Sequence, residues 1–156
     1  MTMAVDFKKL LQKPLDDVKR PPAFPAGTYF GVITKFEFRE SDFVNQNTGE
    51  KDAQVRFHVK VTRAGDDVLA NHAEEIQSIG DLSKRPMRRD MPLSGGNEWV
   101  TKTFLDSLGI ATSGRTFDVT IPEAVNHEVM LEVTQRPDKN NPENVFNDVR
   151  TMKGAV

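Results

Sequence analysis

The chain has 156 residues, 37% of them hydrophobic and 28% charged, enough to bury one core beneath polar loops. Its formal net charge of -2 neither requires nor forbids a nucleic-acid partner, because a local basic face decides that. The absence of cysteine excludes disulfides and thiolate metal sites and suits a reducing compartment. No apolar run is long enough for a bilayer, and Met1 to Leu11 lacks the apolar stretch of a signal peptide, so a cytoplasmic location without membrane contact is expected.

Val5 to Gln12 spaces its apolar residues for a short helix that Pro14 ends. The plainer expectation is an N-terminal arm packed by Phe7, Leu10 and Leu11; the sharper one is an arm for a partner or for self-association. Lys19 to Pro25 reads as an extended linker. The expected division is an arm and linker over 1–24 and one domain over 25–156.

The first strand follows Pro25-Ala26-Gly27, which turns the chain. Strict alternation puts Thr28, Phe30, Val32, Thr34, Phe36 and Phe38 on a buried face. It puts Tyr29, Gly31, Ile33, Lys35, Glu37 and Arg39 on the other. Gly31 inside the strand implies a bend, a bulge or a close backbone approach. Ser41 to Asp52 reads as a polar loop. Ala53 to Thr62 is the clearest alternating strand, with Arg56, His58 and Lys60 on its solvent face.

Gly65-Asp66-Asp67 is a turn, and Val68 to Ile79 suits a strand or a helix. Pro86 to Leu93 reads as an irregular edge strand, since two prolines remove ladder donors. Asn97 starts a helix with Trp99, Val100, Thr103, Phe104, Leu105 and Leu108 on its apolar face, and Gly109 ends it. Ile121 to Val125 suits one helical turn. Glu128 to Arg136 and Val145 to Lys153 are the last two strands. The fold expected is mainly β: a five-stranded Greek-key barrel of the OB type, with one central helix and a short N-terminal helical arm.

Catalytic and phosphate-loop signatures are missing, and the adjacent acids Asp16-Asp17, Asp66-Asp67 and Glu74-Glu75 suit solvated loops better than acid–base pairs. His58, His72 and His127 share no ligand spacing. No enzyme, cofactor or metal is expected. The positive signal combines cations with rings, the pairing that holds single-stranded nucleic acid: cations follow phosphates and rings stack on bases. Lys35, Arg39, Arg56 and Lys60 accompany Tyr29 on the first two strands; Arg88 and Arg89 lie on the third. Arg136 and Arg150 accompany Phe146 on the last hairpin. These ten residues form the expected nucleic-acid site.

The order of features resembles a family of small bacteriophage proteins, encoded among replication and recombination genes, that look like OB-fold single-stranded-DNA-binding proteins. The resemblance is carried by Phe7-Lys8-Lys9-Leu10-Leu11 with Pro14 and Val18, by Pro25-Ala26-Gly27-Thr28-Tyr29, and by Val55-Arg56-Phe57-His58-Val59. It continues through Phe104-Leu105-Asp106-Ser107-Leu108-Gly109-Ile110, Ile121-Pro122-Glu123-Ala124, Val133-Thr134-Gln135-Arg136-Pro137 and Val145-Phe146-Asn147-Asp148-Val149. It implies sequence-nonspecific binding of single-stranded DNA in the host cytoplasm. It leaves open a homo-oligomer and phage or host replication and recombination proteins as further partners. The acidic tail with which many single-strand-binding proteins recruit such partners has no counterpart in Thr151 to Val156. The competing expectation is a phage structural or protein-interaction module that self-assembles through exposed Phe43, Met87 and Met91.

Overall fold

Five antiparallel strands form one curved sheet in the computed structural model, which describes residues 5–15 and 22–155. The strands are β1 (Gly27–Val44), β2 (Lys51–Ala64), β3 (Met87–Pro92), β4 (Glu128–Pro137) and β5 (Val145–Gly154), in the order β3-β2-β1-β4-β5. The helices are α1 (Phe7–Leu11), α2 (Asp66–Ile79), α3 (Glu98–Ser107) and α4 (Phe117–Glu123). Asp16-Asp17, Val18 and the linker segment Lys19 to Pro21 lie outside the described residues.

The mainly β expectation holds, and two parts of the finer one do not. The sheet is not closed into a barrel: among the described residues no ladder joins its outer strands, β3 and β5. β3 is six residues long, with Pro86 before it and Pro92 at its end, so it has little edge to offer a sixth pairing. The single central helix has company, for Val68 to Ile79, which suited a strand or a helix, folds within α2, and Phe117–Glu123 is longer than the one turn expected.

Strict alternation misassigned half of β1. Ile33 pairs with Val59 and Lys35 with His58, so Thr34 is one residue too many for its partner strand and the side chains change parity there. Before the bulge the inward residues are Tyr29, Gly31 and Ile33, all buried; after it Phe36 packs against the core and Lys35 and Glu37 face out. Outward Phe30 is covered by the Arg63 guanidinium, 3.7 Å from its ring centre. β5 repeats the device. Thr151 pairs with Glu132 and Val149 with Val133, which leaves Arg150 unmatched, so Val149 and Met152 both turn inward. β1 and β2 also run further than expected, and the loop between them shrinks to residues 45–50.

The core lies inside the curve. Val55, Phe57, Val59 and Val61 of β2 meet Ile33 of β1 and Val129, Leu131 and Val133 of β4. Phe24, ahead of β1, is fully buried and stacks on Tyr29 with ring centres 5.2 Å apart. Its backbone is held by the Asn147 and Gln135 side chains, which both donate to its carbonyl at 2.9 Å. Helix α1 contributes no buried residue: Phe7, Leu10 and Leu11 are exposed, contrary to the packed arm expected.

Helix α3 covers one end of the opening between β3 and β5. Phe104 packs on Phe57 at 5.3 Å between ring centres, Thr101 donates to the Pro92 carbonyl, and the Gly154 amide donates to Ser107 Oγ at 2.9 Å. Its C-terminus closes as the sequence predicts: Gly109 takes φ 81° and donates to Asp106, while Ile110 donates to Leu105.

Candidate nucleic-acid interface

Where α3 stops covering the seam, a groove of about 790 Å³ opens between β3 and the β4–β5 hairpin. Ladder register sets the chemistry of its first wall. Lys35, His58 and Arg88 stand side by side across β1, β2 and β3, and Glu37, Arg56 and Asp90 form the next row. Each residue stands beside its neighbours because alternation after the Thr34 bulge sends all six outward.

The arginines of this wall are held by acids. Arg56 grips Asp90 with two bonds, Nε to Oδ1 at 2.7 Å and Nη2 to Oδ2 at 3.0 Å. Arg39 reaches the same Asp90 at 3.3 Å and Asp42 at 2.6 Å. A guanidinium forked onto a half-buried carboxylate is fixed in direction, and its charge is largely spent. His58 bonds Glu37 at 2.9 Å, and that bond holds the Glu37 carboxyl below the usual carboxylate range. Lys35, Lys60 and Arg88 form no ion pair among the described residues and are exposed, so their charge is available to a ligand.

The second wall comes from the hairpin. The Arg136 guanidinium lies 5.3 Å from the Phe146 ring centre, and its Nε donates to Asp148 at 2.8 Å, which raises the guanidinium above its ordinary pKa. Ring, cation and acid thus lie on one strand pair, facing Arg88 and Arg56 across the groove.

Five of the ten expected residues line this groove: Arg56, Arg88, Arg89, Arg136 and Phe146. Arg39 adjoins it through Asp42 and Asp90. Lys35 and Lys60 remain on the outer face of β1 and β2. Tyr29 must be removed from any contact surface: it is fully buried, and its hydroxyl donates to the Pro25 carbonyl at 2.6 Å. Its placement beside the cations came from the parity that the bulge reverses. Arg89 alternates inward with Met87 and Met91, and its Nη1 donates to the Val149 carbonyl at 3.0 Å. Met87 and Met91 are buried, so they cannot supply the exposed apolar face of the self-assembly expectation; Phe43 is exposed as expected. Arg150 lies round the edge of β5, 3.6 Å from Glu132.

The sequence reading missed the acids. The groove sets Asp42, Asp90 and Asp148 against its four arginines, a nearly balanced site. Asp90 sits two residues after Arg88 on the same face, and that spacing was the available signal. Trp99 was also misplaced. It was expected on the apolar face of α3 but is largely exposed, because the buried positions are Thr101, Phe104 and Leu105. A strict i, i+3, i+4 count from Thr101 would have left Trp99 outside.

Among the described residues no cluster of histidines and carboxylates suits a metal ion, and no helix is long and apolar enough to cross a membrane. Compared with known proteins, the chain matches no protein-family model, and no curated protein matches it significantly.

Proposed function

We propose that this chain is an OB-type module that binds single-stranded DNA without strong sequence preference, in the replication or recombination of a phage within the host cytoplasm. The observation that carries the reading is the groove between β3 and the β4–β5 hairpin, which gathers Arg56, Arg88, Arg136 and Phe146. The strand order β3-β2-β1-β4-β5, with a helix at the seam, supports reading the open sheet as a Greek-key barrel of the OB type that is left partly open. In that architecture the β2–β3 face and the β1–β2 and β4–β5 loops take up oligonucleotides, and a groove lined in part by Arg56 and His58 of β2 and Arg88 and Asp90 of β3 supports the reading. Phosphates would follow Arg88 and Lys35, a base would stack on Phe146, and Arg56 and Arg136 would exchange part of their acid contact for phosphate. Binding and strand protection need no catalytic group, and the reading assigns none.

The test is a titration with labelled oligo-dT at two salt concentrations, with a duplex of equal length beside it. The single strand should bind more tightly, and affinity should fall as salt rises. The double variant Arg88→Glu, Arg136→Glu should lower affinity by at least tenfold with an unchanged melt. Indifference to both nucleic acids at low salt overturns the proposal.

A protein-interaction module is the second reading, favoured by one observation. Phe38, Phe43 and Val44, in the second half of β1, are all exposed. A large assembly in light scattering, without DNA affinity, would select it.

A further inference from the structure

Helix α3 leaves the only tryptophan of the chain outside the core: Trp99 is 64% exposed. A lone exposed ring needs no explanation, but this one borders a cleft of about 240 Å³ walled by Met91, Phe104 and Met152. Arg89, Arg150 and Lys153 rim the cleft, and among the described residues no carboxylate lines it. The rim is therefore of one sign, unlike the nearly balanced groove on the other side of the seam. Lys153 forms no ion pair among the described residues, and Arg150 has only the exposed contact to Glu132 at 3.6 Å. Arg89 lines both the cleft and the groove, so a single guanidinium separates them.

We infer that Trp99 is a stacking platform for one base of single-stranded nucleic acid, with the phosphates on either side of that base held by Arg150 and Lys153. The inference rests on the proposed function and extends it: the strand leaves the groove, passes Arg89 and crosses the mouth of the cleft. Charge complementarity selects this occupant, since an apolar peptide would leave Lys153 without a counter-charge and Arg150 with only its exposed contact to Glu132, whereas a strand supplies a negative charge at each nucleotide. Stacking is indifferent to base identity, which suits binding without sequence preference.

Because Trp99 has no other tryptophan to mask it, indole fluorescence reports this site alone. The full chain is titrated with labelled oligo-dT, reading label anisotropy and indole emission in parallel. The inference expects quenching that saturates together with the anisotropy. It expects Trp99→Ala to weaken binding about tenfold with an unchanged melt. It expects the double variant Arg150→Gln, Lys153→Gln to flatten the slope of log affinity against log salt by about 1.4. An anisotropy rise without quenching, together with wild-type affinity in Trp99→Ala, overturns the platform and leaves the groove reading standing. No anisotropy rise removes both. An indole emission maximum that shifts with protein concentration but ignores DNA gives the cleft to a second copy and likewise overturns the inference.

Discussion

Arg89 of β3 donates from Nη1 to the carbonyl of Val149 on β5 across 3.0 Å, and this bond joins two strands that share no ladder. The Nε of the same guanidinium is buried and has no hydrogen-bond partner among the described residues. The seam is thus held by a side chain that is itself incompletely satisfied. Removing it by Arg89→Ala should free the Val149 carbonyl and open the apolar interior beside Met91, at a cost of about 1–3 kcal/mol. For a chain of this size that is roughly a 2–12 °C fall in Tm. Arg89→Met, which keeps the length but cannot donate to the Val149 carbonyl, should recover only the packing part of the loss. Amide exchange along β5 should speed up in the alanine variant. An unchanged melt and unchanged exchange would mean that the seam stands without this bond.

Asp90 organises the groove by holding two arginines at once, Arg56 at 2.7 Å and Arg39 at 3.3 Å. If the groove takes phosphate, Asp90 competes with the ligand. Asp90→Asn should therefore raise affinity for oligo-dT and steepen its salt dependence by about 0.7 for each arginine released. The Arg56 side chain is only 15% exposed, so losing a charge-assisted fork should also cost about 1–3 kcal/mol of stability. A gain in affinity with a loss of stability is the expected pair of outcomes. Lower stability with no change in DNA affinity would give the cluster a structural role only.

Much of the sheet could be read from the sequence because strand signals are local. Val55 to Val61 alternate without interruption, and their burial follows that alternation. β1 and β5 defeated the same rule at single residues, Thr34 and Arg150, where one strand carries an extra residue. A bulge has no composition of its own, and its effect on facing reaches every residue beyond it. That is why Tyr29 was placed with the cations and ended in the core. The arginines of the site were legible as cations on strands. Their acid partners were not, since Arg56 meets Asp90 only through the pairing of β2 with β3.

Gly31 shows the opposite case, a residue whose role the sequence reading anticipated. A Cβ at this position would lie 2.5 Å from Val59 Cγ1 and 2.7 Å from the Lys60 carbonyl oxygen. The second contact is with backbone, which cannot swing aside as a side-chain tip does. Gly31→Ala should thus push β1 and β2 apart beside Val61, its ladder partner, and cost about 1–3 kcal/mol. The urea midpoint should fall without a change in m-value. A midpoint equal to wild type would mean that the strands can spread there at no cost.

Tyr29 gives the fold a dependence on alkaline pH. Burial raises the pKa of its phenol well above the ordinary 10.0, and the negative charges of Asp67 and Glu75 push in the same direction. The folded state therefore keeps the phenol neutral at a pH where the unfolded chain would ionise it. Its contribution to stability is complete below about pH 10 and is lost as pH rises from there toward the folded pKa, at up to ~1.4 kcal/mol per pH unit. Lysines titrate over the same interval, so the informative quantity is the difference between wild type and Tyr29→Phe. The variant loses the bond to the Pro25 carbonyl and should be about 1 kcal/mol less stable at neutral pH. That deficit should shrink, and then reverse, as pH passes 10. Tyr29 is also the only tyrosine in the chain, so tyrosinate absorbance should appear only together with unfolding. Absorbance that titrates near pH 10 while the fold persists would show the phenol to be reached by water, against its burial under Phe24.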